Sequence, residues 1–196
     1  MPLNNEASDL EKQWPQIVAT FARAQTSSLY CSIASVDTVG QPNVTPIGTL
    51  FLGKPCSGFY FDQYTASLAA NVDVNPEVCA MAVNASKFFW LRALLAGKFS
   101  SLPGVRLYGT AGPLRDATPG EKLQVQRRIG RTRWLKGGRL LWSSFTHVRD
   151  LSFTSYRLVA YPVMMERFVE EAHNHSIERT CQRPLRALWP AAHVKR

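Results

Sequence analysis

The 196-residue chain, 45% apolar and 19% charged, is long enough for one good core and short for two domains. No apolar run approaches the roughly 18 to 20 residues that a membrane span needs, and Glu6, Asp9 and Glu11 come before any apolar segment, which is wrong for a secretory signal. The net charge of +9 sits in one half: residues 1–100 hold six Lys/Arg against seven Asp/Glu, residues 101–196 seventeen against seven.

In chain order, Asp9–Ala24 predicts an amphipathic helix, with Leu10, Trp14, Ile17, Val18 and Phe21 at helical spacing. Pro15 predicts a kink or a late start. Ser28–Ser35 alternates and is rich in strand formers, and Asp37–Pro42 is turn chemistry. Asn43–Leu52 reads as a second strand, bent or at an edge where Pro46 removes a donor. Ser57–Asp62 reads as its hairpin partner. Thr65–Val74 is a short helix with Thr65 as N-cap, its hydroxyl serving an orphan amide, and Asn75-Pro76 ends it.

Glu77–Asn84 reads as a fourth strand. Residues 87–99 form a basic, strongly apolar segment with helical character. Val105–Leu114 is a fifth strand. Residues 118–134 form a basic helix opened by a Thr-x-x-Glu capping box at Thr118 and Glu121. Arg139–Ser144 and Ser155–Phe168 supply the last extended pieces. Residues 1–171 then make one domain, and 172–196 a peripheral tail with weak periodicity. About six antiparallel strands with a short helix between the third and fourth predict an α+β fold, a small barrel with that helix at one end.

Cys31, Cys56, Cys79 and Cys181 are scattered singly, without a CxxC pair, and two fall in apolar strand-like runs. A reduced, cytoplasmic protein is the expectation. His173, His175, Cys181 and His193 match no compact zinc spacing, so no metal site is expected. Between Lys122 and Arg139 lie seven basic residues and no acidic one, a block that attracts a cofactor phosphate, an acidic substrate or nucleic acid. The nucleic-acid reading lacks an interleaved aromatic platform. Hydrolase, metalloprotease and nucleotide triphosphatase motifs are missing. Phe88, Phe89 and Trp90 with Leu91, Leu94 and Leu95 suit a lid or a dimer surface. A membrane-touching role through Lys87, Arg92 and Lys98 ranks below a buried dimer contact, and no membrane partner is expected.

The order of an alternating strand, a Gly-containing turn, the strand Asn43–Leu50 (NVTPIGTL), the hairpin partner FYFD, a short helix, Asn75-Pro76, an apolar strand and VRLYGTA resembles the pyridoxamine 5'-phosphate oxidase-like, FMN-binding split-barrel superfamily. The resemblance runs from Ser28 to Asp116. It implies a split β-barrel, a homodimer and FMN at the dimer interface, held by the second strand and the start of the short helix. Carried over by position, the contacts fall on Thr45, Pro46, Ile47, Gly48, Thr49 and Leu50, on Phe61 and Asp62, and on Ala66, Ser67 and Leu68. Thr65 and Ser67 beside free helix amides suit an anion in their own right, and Gly48 suits the close approach of a flat ring.

Family members place Arg or Lys at several phosphate-contacting positions, where this chain has Thr45, Leu50, Ser67 and Leu68. Replacement cations are expected from Arg106 and from Arg128, Arg131, Arg133 and Lys136, with the basic block closing over the ligand's anionic end. Trp134 and Trp142 could stack on a ring. Charge reversal of Arg131 and Arg133 is expected to abolish ligand retention. The functional expectation is a flavin-dependent oxidoreductase acting on a small molecule, with no catalytic residue assigned. Haem, a deazaflavin or another anionic ligand in the same barrel is the alternative. The substrate-binding Arg-x-His arrangement of true pyridoxamine phosphate oxidases is missing, Arg157 and Arg167 being the nearest candidates.

Overall fold

A computed structural model of the chain describes residues 4–130 and 145–165. The chain divides into two units, Met1–Ala160 and Tyr161–Arg196. The described part of the second is residues 161–165, with a 3-10 turn at Pro162–Met164. The extended piece expected at Arg139–Ser144 and the tail lie outside the described residues.

Seven strands form one antiparallel sheet: β1 (Cys31–Val36), β2 (Pro42–Ile47), β3 (Leu50–Leu52), β4 (Ser57–Phe61), β5 (Glu77–Val83), β6 (Gly104–Asp116) and β7 (His147–Leu158), in the order β2-β1-β5-β6-β7-β4-β3. Its two edge strands, β2 and β3, are consecutive in the chain and separated by Gly48-Thr49 alone. Two residues cannot span a flat seven-stranded sheet, so the sheet curls until its edges meet. The result is a curled half-barrel, an α+β architecture that fits a split barrel. The single strand expected over Asn43–Leu52 is therefore two. Pro46 lies on an edge strand, where a missing N–H leaves no ladder bond unmade.

Within β1 the expected alternation holds, with Cys31, Ile33 and Ser35 pointing inward, and β5 alternates likewise through Val78, Ala80 and Ala82. Across the concave face runs α1 (Asn4–Ser28), burying Leu10, Trp14, Ile17, Phe21 and Ala24 on one stripe. Trp14 Nε1 donates to the Gly53 carbonyl at 3.2 Å and pins the helix to the β3–β4 turn. The helix starts earlier than expected and passes through Pro15, which is exposed, so the carbonyl it leaves unbonded faces water.

The last strand corrects the sequence expectation. It begins at His147, not Ser155, and buries Val148, Arg149, Leu151 and Phe153. Two consecutive buried residues and a buried arginine break the simple alternation that marks a strand. Register irregularities between β6 and β7 at Tyr108/Gly109 and Ala111/Leu114 accompany this. At the first of them the backbones close in so far that a Cβ on Gly109 would lie 2.0 Å from the Ser152 carbonyl oxygen; only glycine fits.

The remaining helices are α2 (Ala66–Val74), α3 (Lys87–Ala96) and α4 (Pro119–Ile129). Helix α2 packs on β1 and β2, where Asn71 Nδ2 donates to Ser35 Oγ at 3.0 Å. Helix α4 opens on the predicted capping box, both halves of which form between Thr118 and Glu121. Its Val125 and Ile129 pack with Phe51, Phe61 and Val148 in a second, smaller core. The basic helix is described as far as Ile129.

Candidate functional site

The short helix that follows β4 owes its placement to a buried arginine. Arg149 on β7 donates from Nε to Asp62 Oδ2 at 2.7 Å and from Nη1 to Asp73 Oδ1 at 2.8 Å. Asp62 closes β4 and its side chain is 7% exposed; Asp73 stands near the end of α2 and is 62% exposed. One guanidinium therefore holds α2 at both ends. Burial alone would pull the pKa of Arg149 down, but its bonds to Asp73 and Asp62 more than reverse this and hold it above the ordinary arginine value.

Thr65 departs from expectation here. It occupies the N-cap position of α2, yet its hydroxyl donates to Asp62 and makes no capping bond. The bond to the Asp62 carboxylate orients the Thr65 side chain toward Asp62, and its oxygen accepts from no amide of the first turn. Asp62, a candidate ligand contact, is thus engaged by Arg149 and Thr65. Beside them the Tyr60 hydroxyl is fully buried without a hydrogen-bond partner among the described residues. Burial, reinforced by Asp62, pushes its phenol up. No side chain caps the first turn of α2, and Ala66 and Ser67 there are exposed. The amides of that turn can receive an anion.

The β2–β3 bend supplies the other half. Thr45 and Ile47 point toward the inner face, in register with Ile33 and Cys31; Pro46 points outward, in register with Ser32. Leu50 and Leu68 are fully buried in the core, so their side chains are closed to any ligand. Thr49 is buried with its hydroxyl donating to the Phe61 carbonyl at 3.5 Å. At Gly48 an added Cβ would come within 3.3 Å of the Leu29 carbonyl, so the glycine also answers a packing demand within the chain.

Arg128, from α4, reaches this bend across 80 positions of sequence. Its Nη1 donates to the carbonyls of Leu50 at 2.6 Å and Gly48 at 3.2 Å, and its guanidinium carbon lies 3.7 Å from the centre of the Phe51 ring. Gln25 Nε2 donates to the same two carbonyls, at 3.2 Å to Leu50 and 3.5 Å to Gly48. No carboxylate among the described residues bridges Arg128. Arg128 is an exposed residue, and partial loss of water lowers its pKa from the ordinary arginine value. Nearby, burial pushes the Cys31 thiol up to about 12.

Arg106 lies elsewhere. It is exposed on the outer face of β6, in one cross-strand row with Met81, Ser32 and Pro46 on one side and Arg157 on the other. It shares that face with Pro46 and stands on the opposite face from Thr45. Arg131, Arg133, Trp134, Lys136 and Trp142 lie outside the described residues, as do Arg167 and the histidines and Cys181 of the tail. Among the described residues no group of three or more His, Cys, Asp or Glu is placed to hold a metal. Sequence reasoning missed Arg149 and Gln25, whose partners lie 87 and 25 positions away and carry no local motif.

The curled antiparallel sheet, with α2 inserted between β4 and β5, defines a split-barrel protein. The family model described as pyridoxamine 5'-phosphate oxidase matches residues 17–152, and the chain belongs to that family. No curated protein matches it. Among solved structures the chain is similar to an FMN-binding protein from Syntrophomonas wolfei subsp. wolfei (12% identity, 79% of this chain and 97% of the other, TM-score 0.51). It is also similar to HupZ from Group A Streptococcus (15%, 72% and 91%, TM-score 0.48) and to the heme storage protein HutZ from Vibrio cholerae (16%, 73% and 94%, TM-score 0.47). At such identities the likeness is one of fold.

Proposed function

We propose that the chain is a flavin-dependent oxidoreductase that binds FMN between the β2–β3 bend and the first turn of α2 and acts on a small molecule. The observation that carries this reading is Arg128, a cation folded onto the Gly48 and Leu50 carbonyls with no carboxylate bridging it among the described residues. Family membership supports a flavin-type ligand, and the groups proposed to line the site suit its phosphate. The exposed amides of Ala66 and Ser67 and the Ser67 hydroxyl donate, the half-buried Thr45 hydroxyl can join them, and Arg128 supplies the charge that the strand itself lacks. When bound, flavin brings the hydride chemistry. The chain's own part is to hold and orient the flavin, with Arg149 fixing α2 through Asp62 and Asp73. Arg131, Arg133 and Trp134 complete the proposal as further contacts, with Arg106 on the outer face, where a second subunit would bring its own strand.

The visible absorption spectrum of freshly purified protein tests the reading. A flavin spectrum that FMN restores after removal is the expected result. Absence of a flavin spectrum together with no binding of added FMN overturns it, and a Soret band points to haem. Arg128→Glu should bind FMN at least tenfold more weakly than the parent protein.

A further inference from the structure

Helix α3 interrupts the barrel between β5 and β6, and it is built to stand out from it. Ser86 caps its start, accepting from the Phe89 amide, and Gly97 ends it in the left-handed conformation at φ +64°. One face is anchored. Ala93 is buried, Phe89, Trp90 and Phe99 pack ring against ring, and Trp90 Nε1 donates to the Asn84 carbonyl at 2.6 Å. The opposite face carries Phe88, Leu91, Leu94 and Leu95, which are 73%, 55%, 66% and 81% exposed. Phe88, Leu91 and Leu95 recur at the spacing of one helix face. Apolar side chains crowded in this way on the surface mark a contact, unlike single exposed leucines.

The charge around the face selects its partner. Lys87 and Arg92 are exposed on the helix and Lys98 just beyond it, and from Val78 to Arg115 the chain has no acidic residue. By helical geometry Arg92 borders the apolar face beside Phe88, and Lys87 stands at its N-terminal end in line with Leu91 and Leu94, where long stems can reach up while the leucines point down. A second copy applied to this face would oppose these cations with the same cations. A surface that is apolar in the middle and anionic around it meets no such repulsion.

We propose that α3 is a docking element for an anionic lipid bilayer, lying in the interface with Phe88, Leu91, Leu94 and Leu95 inserted and Lys87, Arg92 and Lys98 at the headgroups. Among the described residues no helix is long and apolar enough to cross a membrane, so the contact is peripheral. The sequence expectation ranked a dimer contact first; the acid-free, basic surroundings of this face reverse the order. The proposal does not depend on the flavin reading.

Co-sedimentation of the full chain with vesicles decides it. Vesicles of phosphatidylglycerol and phosphatidylcholine should carry down the protein, pure phosphatidylcholine vesicles should carry down far less, and added salt should weaken the binding. Leu91→Glu/Leu95→Glu, and separately Leu95→Glu at the most exposed position, should lower the bound fraction at least tenfold with thermal unfolding unchanged. Failure of the parent protein to sediment with anionic vesicles overturns the proposal, as does sedimentation of the folded variants at the parent level. A parent dimer that Leu95→Glu dissociates, with no vesicle binding, assigns the face to a second copy and overturns it too.

Discussion

Two arginines, Arg149 and Arg128, serve neighbouring parts of the same barrel and are compensated in opposite ways. Arg149 is buried and bonded to two carboxylates and to the Gly112 carbonyl. Arg128 lies on two carbonyls and a phenyl ring, with no described carboxylate. A buried charge needs a full set of partners to be tolerated at all, so the first cluster is fixed once the chain has folded. The second has no carboxylate partner among the described residues and carries the charge that the proposed FMN site uses. Charge alone does not distinguish a structural arginine from a binding one; the identity of the acceptors does.

The largest effect should come from cutting the compensated cluster. Arg149→Met leaves Asp62 buried without its cation and should cost about 3–5 kcal/mol in urea unfolding. If the loss is under about 1 kcal/mol, within the range of an ordinary exposed pair, the contrast between the two arginines fails. Arg128→Ala should behave in the reverse manner. Its loss of about 1 kcal/mol in stability should be accompanied by an FMN affinity at least tenfold weaker, measured by fluorescence titration. Equal stability losses at the two positions would break the comparison.

A third arginine gives the smallest effect and serves as a reference. Arg115 bridges Glu121 at 2.7 Å and Asp150 at 2.6 Å at the surface. Arg115, helped by the Thr118 amide and hydroxyl, holds the Glu121 carboxyl at about 2, well below its ordinary value of 4.5. A carboxyl depressed on folding contributes stability above its unfolded pKa, and that contribution fades as the pH falls from about 4.5 towards 2. Glu121→Gln should therefore flatten this acid limb, and at pH 7 it should cost no more than about 1 kcal/mol.

Much of the fold was legible in the sequence because the signals were local. The alternation of β1, the Asn75-Pro76 stop after α2 and the Thr118–Glu121 capping box each act within a few residues. What escaped was non-local. β7 hid its start because Arg149 takes an inward position that sequence patterning reserves for apolar side chains, and Asp62 and Asp73, 87 and 76 residues away, make that position tolerable. The same distance concealed that Asp62 is engaged within the protein. Arg128 was named as a replacement cation together with Arg106, Arg131, Arg133 and Lys136, but no pattern in the sequence shows which carbonyls it meets. Its selection depends on Val125 and Ile129 seating α4 beside the bend. Thr65 showed the reverse failure: a correct cap position whose side chain turns to Asp62 and makes no cap bond.

The Gly48-Thr49 link between the two sheet edges also sets the order in which the molecule can assemble. The hairpins β1–β2 and β3–β4 close over short loops, and so can form early. Docking the second hairpin requires β4 to pair with β7, for instance Phe61 with Val148, across 87 intervening steps of chain. Such long-range pairing is slow because loop closure precedes its reward. Until the last strand leaves the ribosome, β4 and β6 both present an unpaired edge. A chain stalled or cut before His147 would therefore emerge with two sticky borders, making the final strand the step on which solubility during synthesis depends.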